Sequence, residues 1–244
     1  MEDSKKPNRE DKTIQEFCDR LSKITGERVE ISSRPDKQNK GVGGCDAILG
    51  IQGKKVALEH TTVDSYEAQR KDSASFRKVI VPLEDFISKK MSNSWVEICI
   101  PSRSIPTGRD WTDITEKLKS DCLQEILKLP ADDDFRTFNF PGVPFEVELA
   151  RHEGAPGCYV MRRAPENRFR ELENVIVNAL KRKSDQLNSY KRDGYKVVLL
   201  LDSNDFVLMN RDNFAKAFEQ AAKEVNLGNF DEIYYCETYR EPAW

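Results

Sequence analysis

The stretch GCDAILGIQGKKVALEHT, residues 44–61, restricts the fold more than any other part of the chain. Ala47-Ile48-Leu49-Gly50-Ile51 and Val56-Ala57-Leu58 are short apolar runs on either side of Gln52-Gly53, a pattern that predicts two antiparallel strands and a tight turn. Centring the turn on Gln52-Gly53 pairs Ile51 with Lys54, so opposed positions sum to 105. A four-residue loop leaves that sum unchanged. Asp46 and Glu59 also sum to 105, so the register predicts two carboxylates facing each other on one side of the sheet. Directly opposed side chains have Cβ atoms about 5 Å apart, and like charges there are destabilising. A divalent cation is the natural counter-charge, since Mg²⁺ is commonly held by one or two carboxylates with waters and phosphate oxygens. The plainer reading is a pair of solvated acids at strand ends.

A second constraint lies in residues 166–192. Phe169, Leu172, Val175, Ile176, Ala179, Leu180, Leu187 and Tyr190 recur at helical spacing and form an apolar stripe. Lys183 projects from this stripe, three residues after Leu180 and four before Leu187, and Gln186 lies beside it one turn on. A lysine on a core-facing stripe is costly unless its ammonium reaches water or meets an anion. Asp193-Gly194 ends the helix, and YKVVLLLD, 195–202, reads as a buried strand.

Elsewhere, residues 10–25 predict a helix with Ile14, Phe17, Cys18, Leu21 and Ile24 in phase. RVEIS, 28–32, predicts a strand, and RPDKQNKGVGG, 34–44, a flexible loop. After Thr61 the pattern is irregular until the strand VEICIP, 96–101. A helix over 111–129, extended pieces at 138–149 and 158–162, a helix over about 212–225 and a strand at 232–238 complete the chain.

Composition narrows the class. The chain has 244 residues, 38% hydrophobic and 33% charged, enough for a proper core. Its longest strongly apolar run, residues 197–201, cannot span a bilayer, and the N-terminal residues lack the apolar core of a signal peptide. The expectation is a cytoplasmic protein without a membrane partner. Six cysteines without a CxxC pair, and only His60 and His152 to join them, make no zinc signature and read as reduced thiols. The net charge of −3 argues against a protein that coats nucleic acid. Residues 162–196, however, hold ten basic and five acidic side chains, a local +5 that suits either a transient polyanion contact or a solvated helix.

The order of helix, strand, Asp-bearing hairpin, helix with Lys and Gln, and buried strand resembles the PD-(D/E)XK nuclease superfamily. Gly44-Cys45-Asp46 followed by Leu58-Glu59-His60-Thr61 is similar to that family's D…ExK signature. The resemblance covers 10–61 and 166–202. It implies an α/β fold of the restriction-endonuclease-like type, with a mixed central sheet flanked by helices. It also implies one nuclease-like domain over 1–244, with a core of 10–61 and 166–244 and an insertion over 62–165. In that family the Asp and Glu bind Mg²⁺ (or Mn²⁺), and the Lys helps to position and activate the attacking water. Carried onto this chain, Asp46 and Glu59 are the metal ligands, and nucleic acid, DNA ahead of RNA, is the partner.

Thr61 stands where the family's lysine belongs. Threonine hydrogen-bonds but carries no charge, so Lys183 is the candidate replacement, with Gln186 orienting substrate or water. His60 points to the opposite side of the strand and reads as a packed structural histidine. Family members often add an acid from the first helix. Glu10 precedes Thr13, Ile14 and Phe17 by three, four and seven residues and shares their stripe, whereas Glu16 lies about 140° from its centre at 100° per residue. Glu10 is therefore preferred. Two activities follow, a metal-dependent nuclease or a catalytically silent nuclease-like module that binds nucleic acid or protein. A structural metal site without catalysis is a third.

Overall fold

Gln52 and Gly53 adopt φ values of 50° and 76°, the left-handed pair that a two-residue hairpin needs to match the twist of its strands. They join β2 (Ala47–Ile51) to β3 (Lys54–Thr62). The observed pairs run from Ile51↔Lys54 to Ala47↔Leu58, and every pair sums to 105 as the alternation predicts. The computed structural model describes residues 9–38, 44–105, 111–131, 134–203 and 210–237. The chain is an α/β protein that divides into two compact units, residues 1–67 with 169–244, and residues 68–168.

The first unit carries a five-stranded mixed sheet. β1 (Val29–Ser33) pairs antiparallel with β2. β8 (Lys196–Ser203) runs parallel to β3, and β9 (Glu232–Glu237) parallel to β8, giving the order β1-β2-β3-β8-β9. Alternation along these strands supplies two apolar faces. Ala47, Leu49, Val56, Leu58, Val198 and Leu200 pack with Ile14 and Cys18 of α1 (Arg9–Thr25). Ile48, Ala57, Leu199 and Leu201 pack with Leu172, Ile176, Leu180 and Leu187 of α5 (Arg168–Arg192) and with Phe214 of α6 (Arg211–Glu224). Phe169, counted on the apolar stripe of α5, is instead 46% exposed, because it sits in the first turn, ahead of the residues that meet the sheet. The loop expected over 34–44 is a loop only in part. Pro35–Gln38 forms a short helix, α2, whereas 39–43 lies outside the described residues, as does Thr238 of the expected last strand.

The second unit, 68–168, which overlaps most of the stretch 62–165 expected as an insertion, has its own four-stranded sheet. β4 (Ser94–Pro101), β5 (Arg136–Asn139), β6 (Glu146–Glu153) and β7 (Gly157–Arg163) follow the order β5-β6-β4-β7. The irregular pattern after Thr61 conceals α3 (Gln69–Lys90), which packs with α4 (Trp111–Ile126) on Ile98, Leu149 and Val160. The first seven residues of α3 supply no apolar position larger than alanine, so its stripe begins at Phe76 and continues through Val79, Ile80, Leu83 and Ile87, and Pro82 inside it mimics a helix stop. No helix among the described residues is long and apolar enough to cross a membrane. All six cysteines are unpaired.

Candidate active site

Glu59 and Thr61 fall on the α5 side of β3, in register with Leu199 and Leu201 of β8. They lie where the strand leaves its apolar stretch, and both are buried, Glu59 with only 1% of its surface exposed. The stripe that packs α5 onto the sheet carries Lys183 down with it, between Leu180 and Leu187. The Lys183 ammonium ion-pairs with Glu59 Oε1, their side chains 12% and 2% exposed, and donates to Gln186 Oε1 at 3.0 Å. Gln186 Nε2 in turn donates to the Gly44 carbonyl at 2.9 Å, which links α5 to the chain entering β2. Burial raises the Glu59 pKa above the ordinary carboxylate value, and the Lys183 ammonium opposes that rise.

Asp46 is a bend residue just ahead of β2, beyond the last ladder pair. Its carboxylate is not simply opposed to Glu59 as the register alone suggests. Oδ2 accepts from the His60 backbone amide at 2.7 Å, which anchors the carboxylate at the strand end. Burial first, and the Glu59 charge second, push the Asp46 pKa up to about 6. Glu10 of α1 is also raised, by burial and then by Asp46.

Each of Glu10, Asp36 and Asp46 offers a carboxylate oxygen, and these oxygens lie within 4.8 Å of one another. The expected metal set was Asp46, Glu59 and Glu10. The structure brings Glu10 to Asp46, joins Asp36 to them and pairs Glu59 with Lys183. Asp36 escaped the sequence reading because a four-residue helix has no periodicity. Its signal was Pro35 at the first helical position with an acid in the first turn.

Backbone packing holds that turn in place. A Cβ on Gly44 would lie 3.0 Å from Pro35 Cβ and 3.3 Å from the Asp36 nitrogen, so any larger residue requires the α2 turn to shift by a few tenths of an ångström. The Asp36 amide donates to the Cys45 carbonyl at 3.4 Å. Arg34 reaches both the Asp46 carbonyl at 3.3 Å and Asp11 at 3.4 Å, and Lys37 pairs with Asp11 at 2.5 Å.

The donor set fits a hard divalent cation. It is carboxylate oxygen throughout, and Asp36 Oδ1, Glu59 Oε2 and Thr61 Oγ1 are buried without a hydrogen-bond partner. Orphaned buried oxygens cost about 1–3 kcal/mol each unless an ion, water or substrate group satisfies them.

His60 lies on the opposite face, as strand alternation requires. Its Nε2 stands 3.1 Å from Asp202 Oδ1, and Arg9 Nη2 is 2.7 Å from Asp202 Oδ2. Burial opposes ionisation of Asp202, but His60 and then Arg9 hold its carboxyl well below the usual carboxylate range. This cluster ties α1 to the ends of β3 and β8 and gives His60 a packed, partnered setting.

No protein-family model matches the chain, and no curated protein or solved structure matches it significantly.

Proposed function

We propose that this protein is a metal-dependent nuclease that hydrolyses phosphodiester bonds of nucleic acid, with a restriction-endonuclease-like core. The observation that carries the reading is the Lys183–Glu59 contact. A cation delivered from α5 stands beside the carboxylate of a motif whose own lysine position holds Thr61. The antiparallel hairpin followed by the parallel β8 supports the same reading.

Glu10, Asp36 and Asp46, with Glu59, are the residues that would hold Mg²⁺ or Mn²⁺. Such an ion, when bound, polarises a phosphoryl oxygen and lowers the pKa of a bound water. Lys183 stabilises charge that develops on the phosphate, a role typically worth on the order of 10²–10³ in rate. The Thr61 hydroxyl, buried and unsatisfied, is available to a substrate oxygen or water. Gln186 holds the Lys183 head and the Gly44 carbonyl at fixed separation.

The same ion pair favours a second reading. Lys183 already neutralises Glu59 without any ion, as expected of a silent module that binds nucleic acid or protein. A cleavage assay with Mg²⁺ or Mn²⁺ on single- and double-stranded DNA and RNA decides between them. Metal-dependent cleavage that Glu59→Gln and Lys183→Met abolish is the expected result. Undiminished cleavage by Lys183→Met overturns the assigned role of Lys183. No cleavage of any substrate selects the silent module.

A further inference from the structure

The β2–β3 ladder ends at the pair Ala47↔Leu58, so residues 44–46 reach the candidate active site without a partner in that hairpin. Their backbone polar groups still need partners, because an unpaired buried amide or carbonyl costs about as much as a lost hydrogen bond. Groups outside the ladder meet that need. The Gly44 carbonyl accepts from Gln186 Nε2 at 2.9 Å, and the Cys45 amide donates to the Tyr190 hydroxyl at 3.2 Å. The Cys45 carbonyl accepts from the Asp36 amide at 3.4 Å, and the Asp46 carbonyl from Arg34 Nη1 at 3.3 Å.

The first two of these bonds fall on one peptide unit. The Gly44 carbonyl and the Cys45 amide belong to a single planar group, which turns only as a whole. Gln186 and Tyr190 stand four positions apart on α5, so they are neighbours on one face of the helix. One donates to the carbonyl and the other accepts from the amide, which fixes the plane of the peptide. Lys183 lies on the same face, three positions before Gln186, and its ammonium donates to Gln186 Oε1. A single face of α5 thus places the cation beside Glu59 and grips the backbone that leads into Asp46.

The grip extends to Asp36. Cys45 is fully buried, its amide held by Tyr190 of α5 and its carbonyl by the Asp36 amide of α2. The Tyr190 hydroxyl is therefore one hydrogen bond and one residue away from both Asp36 and Asp46. The ring of Tyr190 is placed independently of that hydroxyl. It packs against the α5 core cluster and meets the Tyr195 ring edge-on at 5.6 Å, contacts that a phenylalanine would also make.

We infer that Tyr190 and Gln186 are positioning residues of the candidate metal centre, clamping the Gly44–Cys45 peptide so that Asp46 and Asp36 present their carboxylates together. The inference rests on the proposed function only for the presence of a metal ion at those carboxylates. Tyr190 acts through the backbone, and its contribution is the hydroxyl alone.

The test is Mn²⁺ binding to the full chain, followed by electron paramagnetic resonance of the free ion, beside urea unfolding in EDTA. Tyr190→Phe removes one oxygen and keeps the ring. It should weaken Mn²⁺ binding about tenfold, the lower end of the roughly 10–100-fold typical when an outer partner of a metal ligand is lost. Hydrogen exchange in EDTA should quicken at the Cys45 and Asp36 amides and stay unchanged at those of Leu58 and Leu199. Gln186→Leu should also weaken binding. Because both side chains hold one peptide, the double variant Gln186→Leu/Tyr190→Phe should fall little below the weaker single variant. Unaltered Mn²⁺ affinity in Tyr190→Phe overturns the inference even where stability drops, since a purely structural hydroxyl behaves that way. Losses that multiply in the double variant overturn it too, and a wild type that binds no Mn²⁺ removes the metal centre and the clamp's role together. If the wild type binds Mn²⁺ and cleaves nothing, yet Tyr190→Phe weakens that binding, the nuclease reading fails and the clamp stands. Cleavage by the wild type with unaltered Mn²⁺ affinity in Tyr190→Phe has the opposite meaning.

Discussion

Lys183 and Glu59 form an ion pair almost wholly withdrawn from water, which determines how each can be changed. Lys183→Met keeps the apolar packing of α5 but strands a carboxylate that is 2% exposed. Breaking a buried pair from one side typically costs about 3–5 kcal/mol. Glu59 already has a raised pKa, and losing its cation raises it further. A carboxyl that binds its proton more tightly when folded contributes stability at low pH and loses it as pH rises. Lys183→Met should therefore lie closest to wild type near pH 5 and fall behind towards pH 8, measured by urea unfolding. The double variant Glu59→Gln/Lys183→Met should recover most of the loss. Asp46 behaves in the same sense. Its pKa of about 6 exceeds the ordinary 3.8, so its contribution is full below 3.8 and lost as pH passes 6. In EDTA at pH 8, Asp46→Asn should be more stable than wild type by about 1–3 kcal/mol, with no advantage near pH 4. The Asn oxygen can still accept from the His60 amide, which keeps the comparison clean.

Among the elements, α2 and the start of β2 act as one piece. Gly44 brings Pro35 and Asp36 against the strand that carries Asp46, and α1 contributes Glu10 from its first turn. A methyl group on Gly44 would meet Pro35 Cβ at 3.0 Å, so the α2 turn must give way. Gly44→Ala should therefore weaken Mn²⁺ binding several-fold in calorimetry while lowering stability by no more than about 1–2 kcal/mol. Equal metal affinity in the variant would place the ion away from Asp36. The hairpin itself has little freedom to adjust, because its turn and both apolar faces specify a single register.

For the whole molecule, two compact units with separate cores imply that a ligand of one stabilises mainly that one. All the candidate metal ligands belong to the unit formed by 1–67 and 169–244. Hydrogen exchange with and without Mn²⁺ should show slowed exchange in α1, β2 and β3. Exchange in β4 and β6 of the other unit should stay unchanged. Protection of β4 equal to that of β3 would mean that the ion acts on the chain as a whole.

What was legible in the sequence follows from periodicity. A period of two placed β2 against β3 in the observed register and put Glu59 and Thr61 on one face with His60 on the other. A period of 3.6 placed Lys183 on the buried stripe of α5 and selected Glu10 over Glu16 on α1. These patterns report which face a side chain takes because that is a local property of the backbone. They do not report what covers the face. That Lys183 meets Glu59 rather than water depends on how α5 crosses a strand 124 positions away in the chain. The anchoring of Asp46 on the His60 amide, the arrival of Asp36 and the helix α3 behind Pro82 were likewise decided by the fold. A single helical turn has no period to detect, and a mid-helix proline reads locally as a stop. Only tertiary packing makes either of them stable.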